Sequence, residues 1–244
     1  MAPLQKIEFI LTPPHGRSFS ADASFVATGT PKPVVVFIHG FKGFKDWGHF
    51  NLISEYFAEK GFVFVKLNLS HNGVTVYGTD LTDMQAFGNN NFCIELDDVG
   101  TLLDALEQNN TPIPTAEMDL QRLYIIGHSR GGGLAILKAA EDDRVKALAT
   151  WAAISEIGYK WPDFDLDQWK RDGVQWVPND RLKINMPLYY QLVENFEQNR
   201  DRLDIPNAAC NLRIPFMIIH GEHDETLPLD MAHHLKQCKP DAEL

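Results

Sequence analysis

A serine between two glycines, in Gly127-His128-Ser129-Arg130-Gly131, is the residue of this chain best suited to covalent chemistry. Leu123 to Ile126 before it is a short apolar run, and Gly131 to Ala140 after it is a small-residue stretch that can open a helix. G-x-S-x-G between a strand and a helix forms a strained turn that lifts the serine hydroxyl to the edge of a sheet. Both glycines have a steric reason, because backbone approaches backbone there and leaves no room for a Cβ. A tight turn with an incidental serine has the same local pattern, so the partners decide. A serine hydroxyl is a poor nucleophile and needs an adjacent base. That base, when it is an imidazole, needs a carboxylate to fix its tautomer. Cys93, Cys210 and Cys238 have neither C-x-x-C spacing nor a Cys-His context, so they suggest no disulfide framework, zinc site or rival nucleophile.

The elements that must hold this serine can be read in order. Lys6 to Thr12 and Phe19 to Thr28 flank the turn formers Pro13, Pro14 and Gly16, which predicts a leading β-hairpin. Val34 to Ile38 is a continuous β-branched and aromatic run, the pattern of a parallel strand covered on both faces. It ends in His39-Gly40-Phe41. Asp46 can cap a helix carrying Phe50, Ile53, Tyr56 and Phe57, stopped by Gly61. Phe62 to Leu67 predicts a strand, Asn68 to Asn91 a polar loop, and the spacing of Val99, Leu102, Leu103 and Leu106 a helix. Arg122 to Ile126 and Val145 to Thr150 are further strands around the small-residue helix. Strands and helices thus alternate from residue 34 onward, as in a doubly wound α/β fold.

The alternation breaks from 153 to 211, too long a segment for an ordinary connection. Trp161, Trp169 and Trp176, with Trp151 just before, stand there among polar residues and prolines, and Met186 to Asn199 can form an amphipathic helix. We expect a small inserted cap over the carboxyl edge of the sheet, where ligands bind in open α/β folds, within one domain spanning 1–244. A strand then runs from Ile214 to His220 into Gly221-Glu222-His223-Asp224-Glu225-Thr226-Leu227-Pro228, followed by a helix from Leu229 to Gln237.

The three motifs His39-Gly40-Phe41, Gly127-His128-Ser129-Arg130-Gly131 and His220 to Pro228, in this order, resemble those of the α/β-hydrolase superfamily over nearly the whole chain. With the inserted cap, the pattern is most similar to small carboxylesterases related to cinnamoyl and feruloyl esterases and to dienelactone-hydrolase-like proteins. The resemblance implies an α/β-hydrolase fold: a mostly parallel, doubly wound sheet with a leading hairpin and a small cap. It implies a serine hydrolase that cleaves esters through an acyl-enzyme, with no metal or organic cofactor and a small-molecule ester as its partner. Ser129 would attack and Asp224 would be the triad acid, with Glu222 and Asp204 as rivals. The backbone N–H groups of Phe41 and Arg130 would form the oxyanion hole. His39, Gly40, His128, Trp151, Trp161 and Trp176 are the candidate pocket residues. The cap tryptophans fit two roles, a core for the insertion or the lining of an acyl or aryl pocket. The same residues would serve an amide, peptide or C–C hydrolase, and a ligand-binding protein could keep the pocket without catalysis.

In the family the triad histidine follows the acid after one more strand, and Asp241 to Leu244 reads as the start of that strand. The expectation is therefore a C-terminally truncated hydrolase with little turnover, its last strand, histidine and helix lying beyond Leu244. His233 and His234 fall in a helix, His223 shares the loop of the acid, and His220 with His223 has metal-ligand spacing but no third ligand.

Composition limits the alternatives. A net charge of -11 over 244 residues argues against nucleic acid and anionic membranes as partners. The N-terminal stretch has no apolar segment behind a basic start, and no later run is long enough to span a bilayer, so the expected location is the cytoplasm. The oligomeric state has no sequence signal.

Overall fold

The computed structural model describes residues 2–244. Its first strands, β1 (Leu4–Leu11) and β2 (Phe19–Val26), pair antiparallel as the leading hairpin. Next come β3 (Lys32–Ile38), α1 (Phe50–Glu59), β4 (Val63–Leu67), α2 (Met84–Gly88) and α3 (Phe92–Glu107). The elbow strand β5 (Met118–His128) then leads into α4 (Arg130–Glu141) and β6 (Val145–Trp151). Between β6 and β9 (Phe216–Ile219) the chain forms α5 (Leu166–Asp172), the strands β7 (Val174–Asn179) and β8 (Ile184–Tyr189), α6 (Gln191–Gln198) and α7 (Ile205–Asn211). The last helix is α8 (Asp230–Cys238).

The main sheet has seven strands in the order β1-β2-β4-β3-β5-β6-β9, parallel from β4 to β9, and β7 and β8 form a separate antiparallel pair. The strand pattern of β3 explains the layering. Val34, Val36 and Ile38 belong to the large core that includes α3 and α4, whereas Val35 and Phe37 join Phe50, Phe64 and Ile126 on the α1 face. A strand covered on both faces needs apolar residues at every position, which is why this run does not alternate.

Three expectations change. Asp46 does not cap α1, whose N-cap is His49 without a side-chain bond. The Asp46 carboxylate instead meets Lys45 at 2.5 Å and Lys66 at 2.9 Å, in a network that also joins Lys45 to the fully buried Asp22 at 2.8 Å. A pair of buried ammonium groups outcompetes a helix end for the carboxylate. The amphipathic helix expected over Met186–Asn199 is confined to Gln191–Gln198, because Met186 to Tyr189 extends as β8 against β7. Pro187 cannot sit in a helix interior and is tolerated in a two-stranded ribbon. Finally, α7 packs on α4 and α8, so its part of the 153–211 segment belongs to the helical layer of the sheet.

The rest of that segment docks on the loop before α3. The Asn91 amide donates to Gln191 Oε1 at 2.8 Å and the Gln191 amide donates to the Asn90 carbonyl at 2.9 Å. Glu243 continues the parallel pattern beyond β9, its N–H donating to Phe216 O at 2.9 Å and its carbonyl accepting from Ile218 N at 2.7 Å. Among the described residues no helix is long and apolar enough to cross a membrane.

Candidate active site

Ser129 sits between the end of β5 and the start of α4 with φ 56° and ψ −122°. A non-glycine residue persists in that region only where its surroundings over-determine it. Here the Ser129 N–H donates to Trp151 O at 2.9 Å, and the Ser129 carbonyl accepts from Gly132 N at 2.9 Å and Ile154 N at 3.2 Å. The flanking glycines are sterically required. A Cβ on Gly131 would lie 2.5 Å from the Ile38 carbonyl oxygen, and one on Gly127 would lie 2.7 Å from Ala135 Cβ.

The loop after β3 closes on the serine from the other side. A Cβ on Gly40 would stand 2.9 Å from Ser129 Cβ, so only glycine lets this loop approach so closely. His39 holds the loop from beneath. It is 2% exposed, and burial brings its pKa down to about 4. The neutral ring donates from Nδ1 to Gly40 O at 2.9 Å, and its Nε2 accepts from Leu69 N at 3.3 Å, the tautomer that these two partners require. His39 therefore buttresses the loop rather than lining the open space.

Arg130 is the first residue of α4, where backbone N–H groups have no intrahelical acceptor. Its guanidinium is turned away to α3. Nε donates to both Glu95 oxygens at 3.1 and 3.0 Å, and the plane lies 3.9 Å over the Phe92 ring and 5.8 Å from Phe41.

Asp224 lies on the loop after β9. Its Oδ1 accepts from Leu227 N at 2.9 Å and Thr226 N at 2.8 Å. The Leu227 bond is the largest influence holding its carboxyl below the usual range, with Thr226, His220 and His128 adding to it. In turn the Asp224 charge partly offsets the burial that lowers the His128 pKa. Ser129 is thus flanked by His128, which reaches electrostatically to Asp224. Among the described residues, however, no side chain hydrogen-bonds the Ser129 hydroxyl. His220 uses Nε2 on Leu227 O at 2.9 Å and leaves Nδ1 buried without a partner, while His223, His233 and His234 are exposed.

A cavity of about 230 Å³ opens beside Ser129. Gly40, Phe41, Lys42, Trp47, Phe50, His128 and the β7–β8 turn from Pro178 to Arg181 line it. Of the residues expected in the pocket, Gly40 and His128 are there, but the tryptophans are not. Trp161 packs edge-on against Trp169 and Phe196 inside the insertion. Trp151 faces Phe37 on the α1 side of the sheet, with ring centroids 5.5 Å apart. Trp176 is 54% exposed on β7. Trp47, Phe50 and the turn at 178–181 were not anticipated. Pro178-Asn179-Asp180 between two strand-like runs was the available signal for a hairpin, although not for where it would point.

The chain belongs to the alpha/beta hydrolase fold family, whose model matches residues 33–184. A curated relative, the uncharacterized peptidase YuxL of Bacillus subtilis, is 25% identical over 221 residues, covering 84% of this chain and 28% of its own length. The chain thus spans little more than a quarter of that relative. Among solved structures, Est1E from Butyrivibrio proteoclasticus aligns with a TM-score of 0.68 at 17% identity, over 97% of this chain and 86% of that one. The esterase domain of a Rhodothermus marinus protein gives 0.64 at 19% identity, over 98% and 87%. The acylaminoacyl peptidase of Pyrococcus horikoshii gives 0.71 at 17% identity, over 100% of this chain and 36% of that one. At these identities the structural likenesses establish the fold.

Proposed function

We propose that the protein is a serine hydrolase that cleaves carboxylic esters of small molecules through an acyl-enzyme intermediate. The observation that carries the reading is the Ser129 turn. A strained serine is held at the start of α4 and the edge of an open cavity, with the Gly40–Phe41 backbone brought against it. In this reading Ser129 Oγ bonds to the acyl carbon while its proton passes to a base, and the alcohol leaves with a proton returned by that base. Water then repeats the exchange and frees the acid. The Arg130 and Phe41 N–H groups stabilise the tetrahedral oxyanion, a type of contribution worth roughly 3–4 kcal/mol per donor. Asp224, held ionised by the Leu227 and Thr226 amides, orients the base and stabilises its cationic form.

The base must be an imidazole placed between Ser129 and Asp224, and among the described residues no imidazole hydrogen-bonds the Ser129 hydroxyl. The part of 153–211 that carries β7 and β8 acts as the cap, bringing its turn to the cavity. The ester reading is supported by the likeness to Est1E and to the Rhodothermus marinus esterase domain, and peptide cleavage, by the likeness to the Pyrococcus horikoshii acylaminoacyl peptidase, is the second reading.

Hydrolysis of p-nitrophenyl acetate and butyrate by this chain and by Ser129→Ala, with and without free imidazole, tests the reading. Slow wild-type turnover that imidazole accelerates, absent in Ser129→Ala, is the expected result. Equal rates from the two proteins under both conditions would remove Ser129 from the mechanism.

A further inference from the structure

The cavity beside Ser129 is lined by an unequal set of charges: Lys42 and Arg181 against the single carboxylate of Asp180. Lys160 stands near enough to disfavour protonation of Lys42, while Asp180 favours it and burial opposes it. Among the described residues none of the three cations makes a salt bridge, and Asp180 acts on Lys42 only through its charge. Lys42 Nζ donates to Pro178 O at 2.6 Å and lies 5.2 Å from the Phe41 ring. The Arg181 guanidinium lies 5.8 Å over Phe44, and Lys160 Nζ lies 5.6 Å from the Tyr159 ring. By contrast the cations elsewhere in the interior, Lys45, Lys66 and Arg130, each meet a carboxylate. The other titratable groups nearby are His128, whose pKa burial lowers, and Asp224, whose charge acts on His128 in the opposite direction.

We propose that this cavity receives a carboxylate, so that the substrate of Ser129 is an anionic ester whose acid group lies between the loop after β3 and the β7–β8 turn. The proposal rests on the reading of Ser129 as the nucleophile. Its physical basis is that a guanidinium presents paired N–H donors matched to a carboxylate, while Trp47 and Phe50 give the intervening part of the ligand an apolar wall. On a chain with net charge -11, a local excess of positive charge at the site mouth also draws in anions that the remaining surface repels.

Arylboronic acids test both levels, because boron forms a tetrahedral adduct with a serine hydroxyl without needing turnover. Calorimetry would compare phenylboronic, 4-carboxyphenylboronic and 4-(aminomethyl)phenylboronic acids on the wild type, Arg181→Ala, Arg181→Lys and Ser129→Ala. Arg181 is exposed and contacts only a ring, so neither Arg181 variant threatens the fold. The expected result is about tenfold tighter binding of the carboxylated acid at ~0.02 M salt, shrinking to about threefold or less at ~0.5 M as screening sets in. Arg181→Ala should remove the preference and Arg181→Lys keep part of it. Equal binding of all three, abolished by Ser129→Ala, would overturn the anionic proposal and leave the nucleophile standing. A preference for the aminomethyl compound, or a carboxylate preference indifferent to Arg181→Ala, would overturn it as well. Failure of all three to bind the wild type would sink both readings.

Discussion

Arg130 reaches back from the first turn of α4 to Glu95 on α3, its Nε within 3.1 Å of both carboxylate oxygens. Glu95 is 2% exposed, and its Oε1 also accepts from the Asn90 amide at 2.6 Å. The residue whose backbone is proposed to hold the oxyanion is thus anchored by its own side chain. Phe92 beneath the guanidinium and Phe41 beside it tie the same cation to both sides of the site.

Glu95→Ala removes the partner of a largely buried guanidinium and leaves that charge uncompensated, a loss of about 3–5 kcal/mol. Glu95→Gln, which retains an acceptor, should cost less. Urea denaturation of both variants measures the difference, and an equal or negligible loss in the two would mean that the pair contributes little. Arg130→Lys should also be destabilised, because an ammonium cannot both lie flat on Phe92 and donate to Glu95.

The buried His39 predicts sensitivity to mild acid. Its pKa falls from 6.5 in the unfolded chain to about 4 in the folded one, chiefly through burial. Between those values the unfolded state binds more protons, so stability is full near neutrality and declines as pH drops from 6.5 toward 4. At 1.36 kcal/mol per unit the contribution is about 3 kcal/mol. His71, also lowered to about 4 by burial, acts in the same direction. Asp98, raised to about 6 by burial, acts oppositely, since its stability contribution is lost as pH climbs from 3.8 to 6. Unfolding free energies of wild type and His39→Gln at pH 7 and pH 5 should therefore converge as the pH falls. A gap of constant size across that range would show that His39 does not titrate in this way.

Glycine substitutions separate the two reasons a glycine can be needed. Gly131→Ala drives a methyl into the Ile38 and His39 carbonyls, backbone atoms that cannot swing aside. Gly16→Ala meets nothing within 4 Å and has only its φ of +87° against it. We expect Gly131→Ala to fail to fold or to lose several kcal/mol, against about 1 kcal/mol for Gly16→Ala. Thermal melts of the two variants would decide, and similar Tm values would contradict the steric explanation of the elbow.

Much of this was legible because it is local. The central strand β3 announces itself as an unbroken apolar run, and the elbow glycines report a close approach visible in five residues of sequence. What escaped was set by distant partners. Asp46 looks like a helix cap until Lys66, twenty residues on, claims it. Pro187 forbids a helix that periodicity alone would allow. The cavity wall at 178–181 faces Ser129 only because β7 and β8 project from an insertion docked on the loop before α3, and nothing in their own residues states where that hairpin points. Of the two roles open to the insertion's tryptophans, Trp161 and Trp169 take the core one, because a small insertion needs large side chains of its own, and Trp169 is 1% exposed.

The ion network beneath the leading hairpin carries the last expectation. Asp22 is fully buried between Lys45 at 2.8 Å and Lys66 at 3.2 Å, with Asp46 the second acid and Asn51 a further acceptor for Lys66 at 2.8 Å. Lys45 raises its proton affinity against the cost of burial through the Asp22 and Asp46 charges, and Asp46 is correspondingly held ionised. Lys45 and Asp46 belong to the loop that begins with His39-Gly40-Phe41, so the network fixes the far end of the segment that closes on Ser129. Asp22→Ala leaves buried Lys66 with the carboxylate of Asp46 alone and Lys45 with Asp46 and the exposed Glu8, and should cost about 3–5 kcal/mol. Lys66→Met leaves both acids with Lys45 and puts an apolar chain of similar length in its place, and it should cost less. Because the groups are buried, the loss in Asp22→Ala should persist in high salt, which screens exposed pairs only. Urea unfolding of both variants at low and high salt would measure this. A loss that disappears with added salt, or a Lys66→Met penalty as large as that of Asp22→Ala, would contradict the asymmetry.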